Sequence, residues 1–234
     1  MDANLDVVSR EQLKDVVYAR IQAALVDLTI APGEPLREAA LVKQLGVSKT
    51  PIREALVRLE RDGLVELTPY RGARARVYSA EDLREICELR EVIEGECVRR
   101  AARGMEPVFQ AALRENIEAT DKAAAVGNQR KLSELLDRFD ELMLTQLDNG
   151  MLIELIDRVR LHLRRIGGIA AAMPGRSTRS AAQHRRIFDA IDQRKPAVAD
   201  RCFRDHLRSI LDDQLTALNE TPPPPVRPAR TRSS

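Results

Sequence analysis

Two histidines in the second half of the chain have the spacing of side chains that point into a helical core. His184 shares a helical face with Ile187, and His206 shares one with Phe203. Asp140 lies in a third segment that is apolar on one face. Because neutral imidazoles and carboxylates suit Zn, Ni or Mn, the three polar side chains are a candidate metal site. The alternative is a metal-free polar cavity in which the histidines hydrogen-bond within the core.

Arg90 lies in the inward stripe that contains Ile86 and Ile93. A buried guanidinium needs an anion, and Glu94, one helical turn further on, could supply it. The other interpretation is that Arg90 holds the carboxylate of a small effector. Both interpretations remain open at the level of sequence.

A second group of polar side chains marks the start of a helix: Ser48, Lys49, Thr50 and Arg53. A short amphipathic segment ends at the turn residue Gly46, and a second one follows, which predicts a helix-turn-helix. Thr50 followed by Pro51 predicts that the second helix has proline at its first position. The polar group lies off the apolar stripe at the N-terminal end of this helix, where such helices reach base edges and phosphates.

A β-hairpin is predicted directly after this helix. Residues 64–68 and 73–78 have the pattern of strands on either side of a turn at 69–72. The basic side chains of the hairpin are Arg71, Arg74 and Arg76. Such a wing can contact the DNA backbone or minor groove, so it favours DNA binding over an ordinary helical hairpin with solvated charges.

The composition favours a mainly helical protein. Of 234 residues, 44% are hydrophobic but only 3% are aromatic, and tryptophan is absent. The formal net charge of +2 does not exclude DNA binding, because a basic surface can be local. Of the three cysteines, Cys87 and Cys97 would lie about 15 Å apart on one helix, so reduced thiols are expected. No apolar run approaches the roughly 20 residues of a membrane span, and we expect a cytoplasmic protein.

The pattern along the chain predicts four regions. Residues 1–10 are expected to be a flexible arm, residues 11–78 a winged helix-turn-helix, and residues 79–219 an antiparallel six-helix bundle. The proline-rich residues 220–234 are expected to be a disordered tail. Ser79, with Asp82 three residues later, predicts the start of the bundle. Its helices are predicted near 80–103, 106–126, 129–148, 150–173, 177–193 and 196–218.

The segment PGEPLREAALVKQLGVSKTPIREALVRLERDGLVE resembles the N-terminal signature of the GntR family of bacterial transcriptional regulators. The resemblance implies a winged helix-turn-helix that binds a palindromic operator as a homodimer. It places Ser48, Lys49, Thr50 and Arg53 at contact positions of the recognition helix. It also places Arg71 and Gly72 at the wing tip and makes Arg37 a phosphate contact. Lys49 is often arginine in relatives, and lysine keeps the charge but lacks the bidentate fork.

The second half resembles the FCD domain of the FadR-type branch. The segments concerned are LREICELREVIEGECVRRAA, FDELMLTQLDNGMLIELI, QHRRIFDAI and FRDHL, and six helices suggest the VanR-like subgroup. The resemblance implies that a small organic acid binds this domain and changes how the dimer holds DNA. Many FCD domains hold a metal with an Asp and a His one turn apart and two later histidines. His184 and His206 match the later pair, whereas Asp140 replaces the first His and Leu136 replaces the Asp.

The leading hypothesis is a ligand-responsive transcriptional regulator, in the commoner family pattern a repressor. Its effector would bind at Arg90, Asp140, His184 and His206, with one divalent ion if the last three are ligands. One alternative is an effector-independent DNA-binding regulator with a degenerate cavity. Another is a metal-dependent enzyme that uses the same ligands. We predict no enzyme, because no separate nucleophile or general base is evident.

Overall fold

A computed structural model of the chain describes residues 10–70, 72–171, 173 and 175–220, without side chains at 10–12, 157, 158 and 168–171. Most of the expected arm and tail, and Arg71 of the wing, therefore lie outside the described residues. Tyr78 ends one compact unit, with which residues 218–220 are grouped, and Ser79–Ala217 form a second. Within the ranges just given, no helix is both long and apolar enough to cross a membrane.

The first unit is a winged helix-turn-helix, as predicted. Its elements are α1 (Arg10–Val26), β1 (Pro35–Leu36), α2 (Glu38–Leu45), α3 (Lys49–Arg61), β2 (Val65–Thr68) and β3 (Gly72–Ala75). The apolar stripe of α1, which includes Ile21 and Leu25, is buried with Ile52 and Leu59 of α3. This packing places the opposite face of α3 at the surface.

The turn before α3 follows from the properties of its residues. Gly46 has a φ of +67°, a left-handed conformation that glycine adopts without strain, and its N–H donates to the Val42 carbonyl at 3.0 Å. Ser48 is the N-cap of α3, so Pro51 occupies the third helical position. The prediction of proline at the first position was wrong. Proline is tolerated there because N–H groups of the first turn have no acceptor within the helix.

The wing is a hairpin to which a short third strand is added. Strands β2 and β3 pair antiparallel, with Val65 opposite Ala75 and Thr68 opposite Gly72, and β1 pairs with the other edge of β3. Sequence analysis did not predict β1, because two residues are too few to show alternation. It also extended the second strand of the hairpin to residue 78, whereas β3 ends at Ala75.

The second unit is a helical bundle, also as predicted. Its helices are α4 (Ala80–Arg103), α5 (Pro107–Ala125), α6 (Gln129–Leu144), α7 (Gly150–Ala171), α8 (Arg176–Asp192) and α9 (Pro196–Glu220). Ser79 and Asp82 form the capping box that starts α4. Helix α6 ends four residues earlier than predicted. The Asn149 side chain then accepts a hydrogen bond from the N–H of Met151 at 3.0 Å, and α7 begins at Gly150.

Candidate nucleic-acid interface and buried polar site

The N-terminal end of α3 presents an exposed polar surface. Ser48, Lys49 and Thr50 are all exposed, and Arg53 follows one turn later on the same helix. The Ser48 hydroxyl does not cap the helix. A hydroxyl, an ammonium and the N–H groups of a helical first turn therefore lie together, which suits the oxygens of a phosphate.

Arg53 is held by a carboxylate from the preceding helix. Its Nε–H donates to both carboxylate oxygens of Glu38, each at 2.9 Å. Glu38 is the first residue of α2, and its hydrogen bond and then its charge raise the pKa of the Arg53 guanidinium. The Arg53 side chain is 63% exposed. The ion pair therefore restrains the Arg53 side chain, which is otherwise exposed to solvent.

A groove of about 510 Å³ runs along this face of the first unit. Its lining includes Arg37, Glu38, Arg53, Leu56, Ala73 and Arg74. Arg37 is the N-cap of α2 and is exposed, and Arg74 donates to the carbonyl of Gly33 at 3.0 Å. The expected contacts Arg37 and Arg53 thus share one groove with a residue of the wing.

The wing tip is described only in part. Gly72 has a φ of +81° and is exposed, and the neighbouring Tyr70 is fully exposed with a φ of +61°. The Arg76 side chain packs on Tyr78, with its guanidinium 5.3 Å from the centre of the tyrosine ring. Of the two basic hairpin residues that the structure describes, Arg74 lines the groove and Arg76 does not.

His184 and His206 meet in the interior of the second unit. Each is 2% exposed, as their helical spacing predicted, and their Nε2 atoms lie 3.1 Å apart. The ring of Phe139 stacks on His184 with a centroid distance of 4.0 Å. Helices α6, α8 and α9 therefore bring one aromatic and two imidazole rings together.

The hydrogen-bond partners determine which imidazole nitrogens carry hydrogen. His206 Nδ1 lies 2.8 Å from Gln183 Oε1, which also lies 3.5 Å from Arg176 Nη2. Arginine only donates, so the atom it faces is the amide oxygen, and His206 Nδ1 must be the donor. In a neutral ring the Nε2 of His206 is then an acceptor. His184 therefore donates its Nε2–H to His206.

Both histidines are neutral over the physiological pH range. Burial lowers the pKa of His184 to about 3, with further lowering by the charges of Arg90 and Arg176. Burial also holds the pKa of His206 well below its usual range, and His184 contributes. The hydrogen bond between them therefore joins two uncharged rings.

Asp140 lies beside the histidine pair and makes no hydrogen bond to it. Its Oδ1 lies 3.9 Å from His184 Nε2, beyond hydrogen-bond distance, and its Oδ2 lies 3.5 Å from Arg90 Nη2. Its side chain is 38% exposed. Loss of solvation raises the pKa of the Asp140 carboxyl to about 7, although Arg90 acts in the opposite direction. Asp140 is therefore more easily protonated than a fully solvated aspartate.

Arg90 is buried, as predicted, and Glu94 is its main partner. The Arg90 Nε and Nη2 groups donate to the two carboxylate oxygens of Glu94 at 2.7 and 2.9 Å. Burial alone would lower the pKa of Arg90, but Glu94 and then Asp140 raise it. The partner within the helix, one of the two alternatives considered above, is thus present.

Two comparisons with protein families cover most of the chain. Residues 85–209 match the FCD domain, and residues 13–74 match the bacterial regulatory proteins of the gntR family. The chain belongs to the GntR family. Its FCD domain contains the buried polar site, and its gntR domain contains the candidate nucleic-acid interface. It is a DNA-binding transcriptional regulator and not an enzyme.

Several relatives of this GntR protein are similar along most of its length. It is 29% identical over 203 residues to an HTH-type transcriptional regulator in an unstable DNA locus of Streptomyces ambofaciens, covering 84% of this chain and 83% of the relative. It is 26% identical over 194 residues to the transcriptional repressor RspR of Escherichia coli, with 83% and 85% covered. The fold resembles a putative GntR regulator from a Rhodococcus species, with a TM-score of 0.72, 23% identity, and 87% and 98% covered.

The donors around the histidines are two imidazole nitrogens 3.1 Å apart and a carboxylate oxygen 3.9 Å from one of them. Among the described residues, no group of three or more His, Cys, Asp or Glu side chains could hold a metal ion. The His184 Nε2 lone pair is replaced by a hydrogen directed at His206, and Asp140 is displaced toward Arg90. The guanidinium groups of Arg90 and Arg176 also act on both histidines, which disfavours a further cation.

Sequence analysis missed the partners of the histidine pair. Arg176 is only 5% exposed and donates to Ser180 Oγ at 2.7 Å, to Asp213 Oδ2 at 2.8 Å and to Ser209 Oγ at 3.1 Å. A signal was present, because positions 176, 180, 183 and 187 recur at helical spacing on the face of Ile187. On α7, Arg164 is exposed, whereas Arg165 is fully buried.

Proposed function

We propose that this regulator is a ligand-responsive repressor that binds a palindromic operator as a homodimer. The observation that carries the proposal is the polar cluster of the FCD domain, in which Arg90, His184 and His206 are buried and Asp140 and Gln183 are partly buried. Buried polar groups are expensive, and a structural core alone does not need so many of them. The name of the E. coli relative RspR supports repression rather than activation.

The effector in this proposal is a small carboxylate that binds the protein directly. Two groups offer it hydrogens: the Nη2 of Arg90, which carries a second hydrogen besides the one donated to Glu94, and the carboxyl of Asp140 when protonated. Asp140 is only 3.5 Å from Arg90, a longer separation than the 2.7 and 2.9 Å of the Glu94 pair. A carboxylate can therefore replace Asp140 at Arg90 without breaking the stronger pair.

A metal-free site is the alternative that the donor geometry supports. A divalent ion at His184 and His206 would need the Nε2 lone pairs of both, with Asp140 as third ligand. That arrangement requires His184 to move its hydrogen to Nδ1 and Asp140 to leave Arg90. The three-ligand set stays a prediction that elemental analysis of the purified chain tests.

The DNA contacts in this proposal are Arg37, Ser48, Lys49, Thr50, Arg53 and the wing residues Arg71 and Gly72. Support comes from exposure at the start of α3 and from the groove that Arg37 and Arg53 share. Two recognition helices of a dimer would enter adjacent major grooves, which explains a palindromic site. The effector acts by binding more tightly to one of two populations, DNA-competent or DNA-incompetent.

The experiment has two parts. Selection from random duplex DNA identifies the operator, and sedimentation of the protein–DNA complex gives its stoichiometry. A thermal-shift screen with small mono-, di- and hydroxycarboxylates then identifies ligands that stabilise the full chain. We expect two chains per palindrome and a carboxylate that stabilises the wild type but not the Arg90→Met variant. A dimer that binds its operator and is stabilised by no carboxylate would instead favour an effector-independent regulator.

A further inference from the structure

The ion pair between Glu38 and Arg53 places a negative charge on the surface that the proposed function assigns to DNA. Glu38 lines the same groove as Arg37, Arg53 and Arg74, and its side chain is 36% exposed. A carboxylate facing phosphates weakens the binding of every DNA sequence. Its presence at this position therefore calls for a compensating role.

The geometry of the pair suggests that role. Glu38 accepts from the Nε–H of Arg53 with both oxygens, at 2.9 Å each. Across the part of the chain that the structure describes, Nη1 and Nη2 of Arg53 make no hydrogen bond. The end of the guanidinium fork, which carries four hydrogens, is thus left open.

We propose that Glu38 is a positioning residue for sequence recognition, which orients Arg53 so that Nη1 and Nη2 contact a guanine end-on. The pair of Nη groups matches the O6 and N7 acceptors of guanine in the major groove. Glu38 blocks the alternative side-on contact through Nε. It also restrains the side chain before DNA arrives, which reduces the entropy lost on binding. The inference rests on the proposed function, because it assumes that Arg53 reaches bases.

Orientation of Arg53 by Glu38 and simple repulsion of phosphates by Glu38 predict different results for the substitution Glu38→Gln. If Glu38 only repels phosphates, its neutralisation strengthens binding to operator and unrelated DNA by the same factor. If Glu38 orients Arg53, binding to unrelated DNA is unchanged or stronger, while the preference for operator falls. The ratio of the two dissociation constants separates the two cases.

The experiment measures anisotropy of labelled duplexes at one salt concentration, using the full chain. The duplexes are the operator selected by the wild type and a scrambled sequence of equal length. The proteins are the wild type, Glu38→Gln, Arg53→Ala, the double variant, and the control Glu60→Gln, which removes a charge from an exposed residue of α3. Melting temperatures confirm that each variant is folded.

We expect Glu38→Gln to reduce the operator preference roughly 5- to 20-fold, within the range of one bidentate base contact. The operator preference of the double variant should equal that of Arg53→Ala, because Glu38 acts on the preference through Arg53. Glu60→Gln should leave the preference unchanged. Equal strengthening on both duplexes, or additive losses in the double variant, would overturn the role of Glu38. A wild type that prefers no sequence would overturn the proposed function itself.

Discussion

His184 donates a hydrogen bond to His206 over 3.1 Å, between two uncharged imidazole rings in the interior of the FCD domain. Gln183 fixes the direction of this bond by accepting from the other side of His206. Arg176, which faces the same amide oxygen, fixes the orientation of Gln183. The pair is therefore the end of a hydrogen-bonded chain that starts at Arg176 on α8, and its last member, His184, lies 3.9 Å from Asp140 Oδ1 without a hydrogen bond.

Replacing His206 should change how stability depends on pH. Its folded-state pKa is lowered, so below pH 6.5 the unfolded chain binds a proton that the native chain does not. The associated stability is present above pH 6.5 and is lost as pH falls. In urea titrations from pH 7.5 to 5, His206→Gln should weaken this dependence by up to about 1.4 kcal/mol per pH unit. His162→Gln, outside the pair, is the control, and an equal change in both variants would contradict the assignment.

Metal binding should need ligands that this chain does not have at positions 136 and 140. We expect the purified protein to contain far less than one equivalent of Zn, Ni or Mn, because Leu136 and Asp140 stand where many FCD domains have an Asp and a His. The double substitution Leu136→Asp with Asp140→His should restore binding, as measured by elemental analysis and native mass spectrometry. Asp140→Asn, which adds no ligand, is the control. Stoichiometric metal in the wild type that is lost in His184→Ala would support the three-ligand set instead.

Lys49 and Arg53 should differ in what they contribute to DNA binding. Lys49→Ala should weaken binding to operator and to unrelated DNA by the same factor. It should also reduce the number of ions released on binding by about one, as expected for a phosphate contact. Arg53→Ala should weaken the free energy of binding to the operator by about 1–3 kcal/mol and reduce the sequence preference of the protein. Anisotropy titrations over a range of salt concentrations separate the two effects. Lys43→Ala, an exposed charge on α2, should change little; a loss as large as that of Lys49→Ala would argue against a local contact.

Arg176 should stabilise the FCD domain far more than its neighbour Arg179, although both pair with Asp213. The Arg176 guanidinium is buried and also donates to Ser180 and Ser209, whereas the Arg179 side chain is 46% exposed. Arg176→Met should lower the free energy of unfolding by about 2–4 kcal/mol, since it removes a buried guanidinium together with its hydrogen bonds to Ser180, Ser209 and Asp213. Arg179→Met should cost less than about 1 kcal/mol. Equal losses in urea denaturation would contradict the role assigned to burial.

Helical periodicity was sufficient to predict the bundle and the burial of Arg90, His184 and His206, because it determines which side of a helix faces the core. It could not predict partners on other helices. Gln183 lies at helical spacing from Ile187, but this spacing does not show that its amide contacts His206 on α9. The pairing of Glu38 with Arg53 likewise depends on the angle between α2 and α3, which residue spacing does not encode.

The preferences of residues for helix caps and turns were sufficient to predict the capping box of Ser79 and Asp82 and the turn at Gly46. Each of these features depends on a few adjacent residues. The same preferences misplaced Pro51 because proline fits anywhere in a first helical turn. They also missed β1, whose two residues pair with β3 some 38 positions away, Pro35 with Arg74 and Leu36 with Ala73. Long-range pairing of so short a strand leaves no pattern in the sequence.

Ligand-responsive regulation is tested by the change in operator affinity when a carboxylate binds the FCD domain. The selected operator and a carboxylate found by thermal shift are used to measure the ratio of dissociation constants without and with ligand. We predict a change of at least about 5-fold in the wild type, the usual lower range of allosteric coupling, and no change in Arg90→Met. A ligand that binds the wild type while its operator affinity stays constant would contradict ligand-responsive regulation.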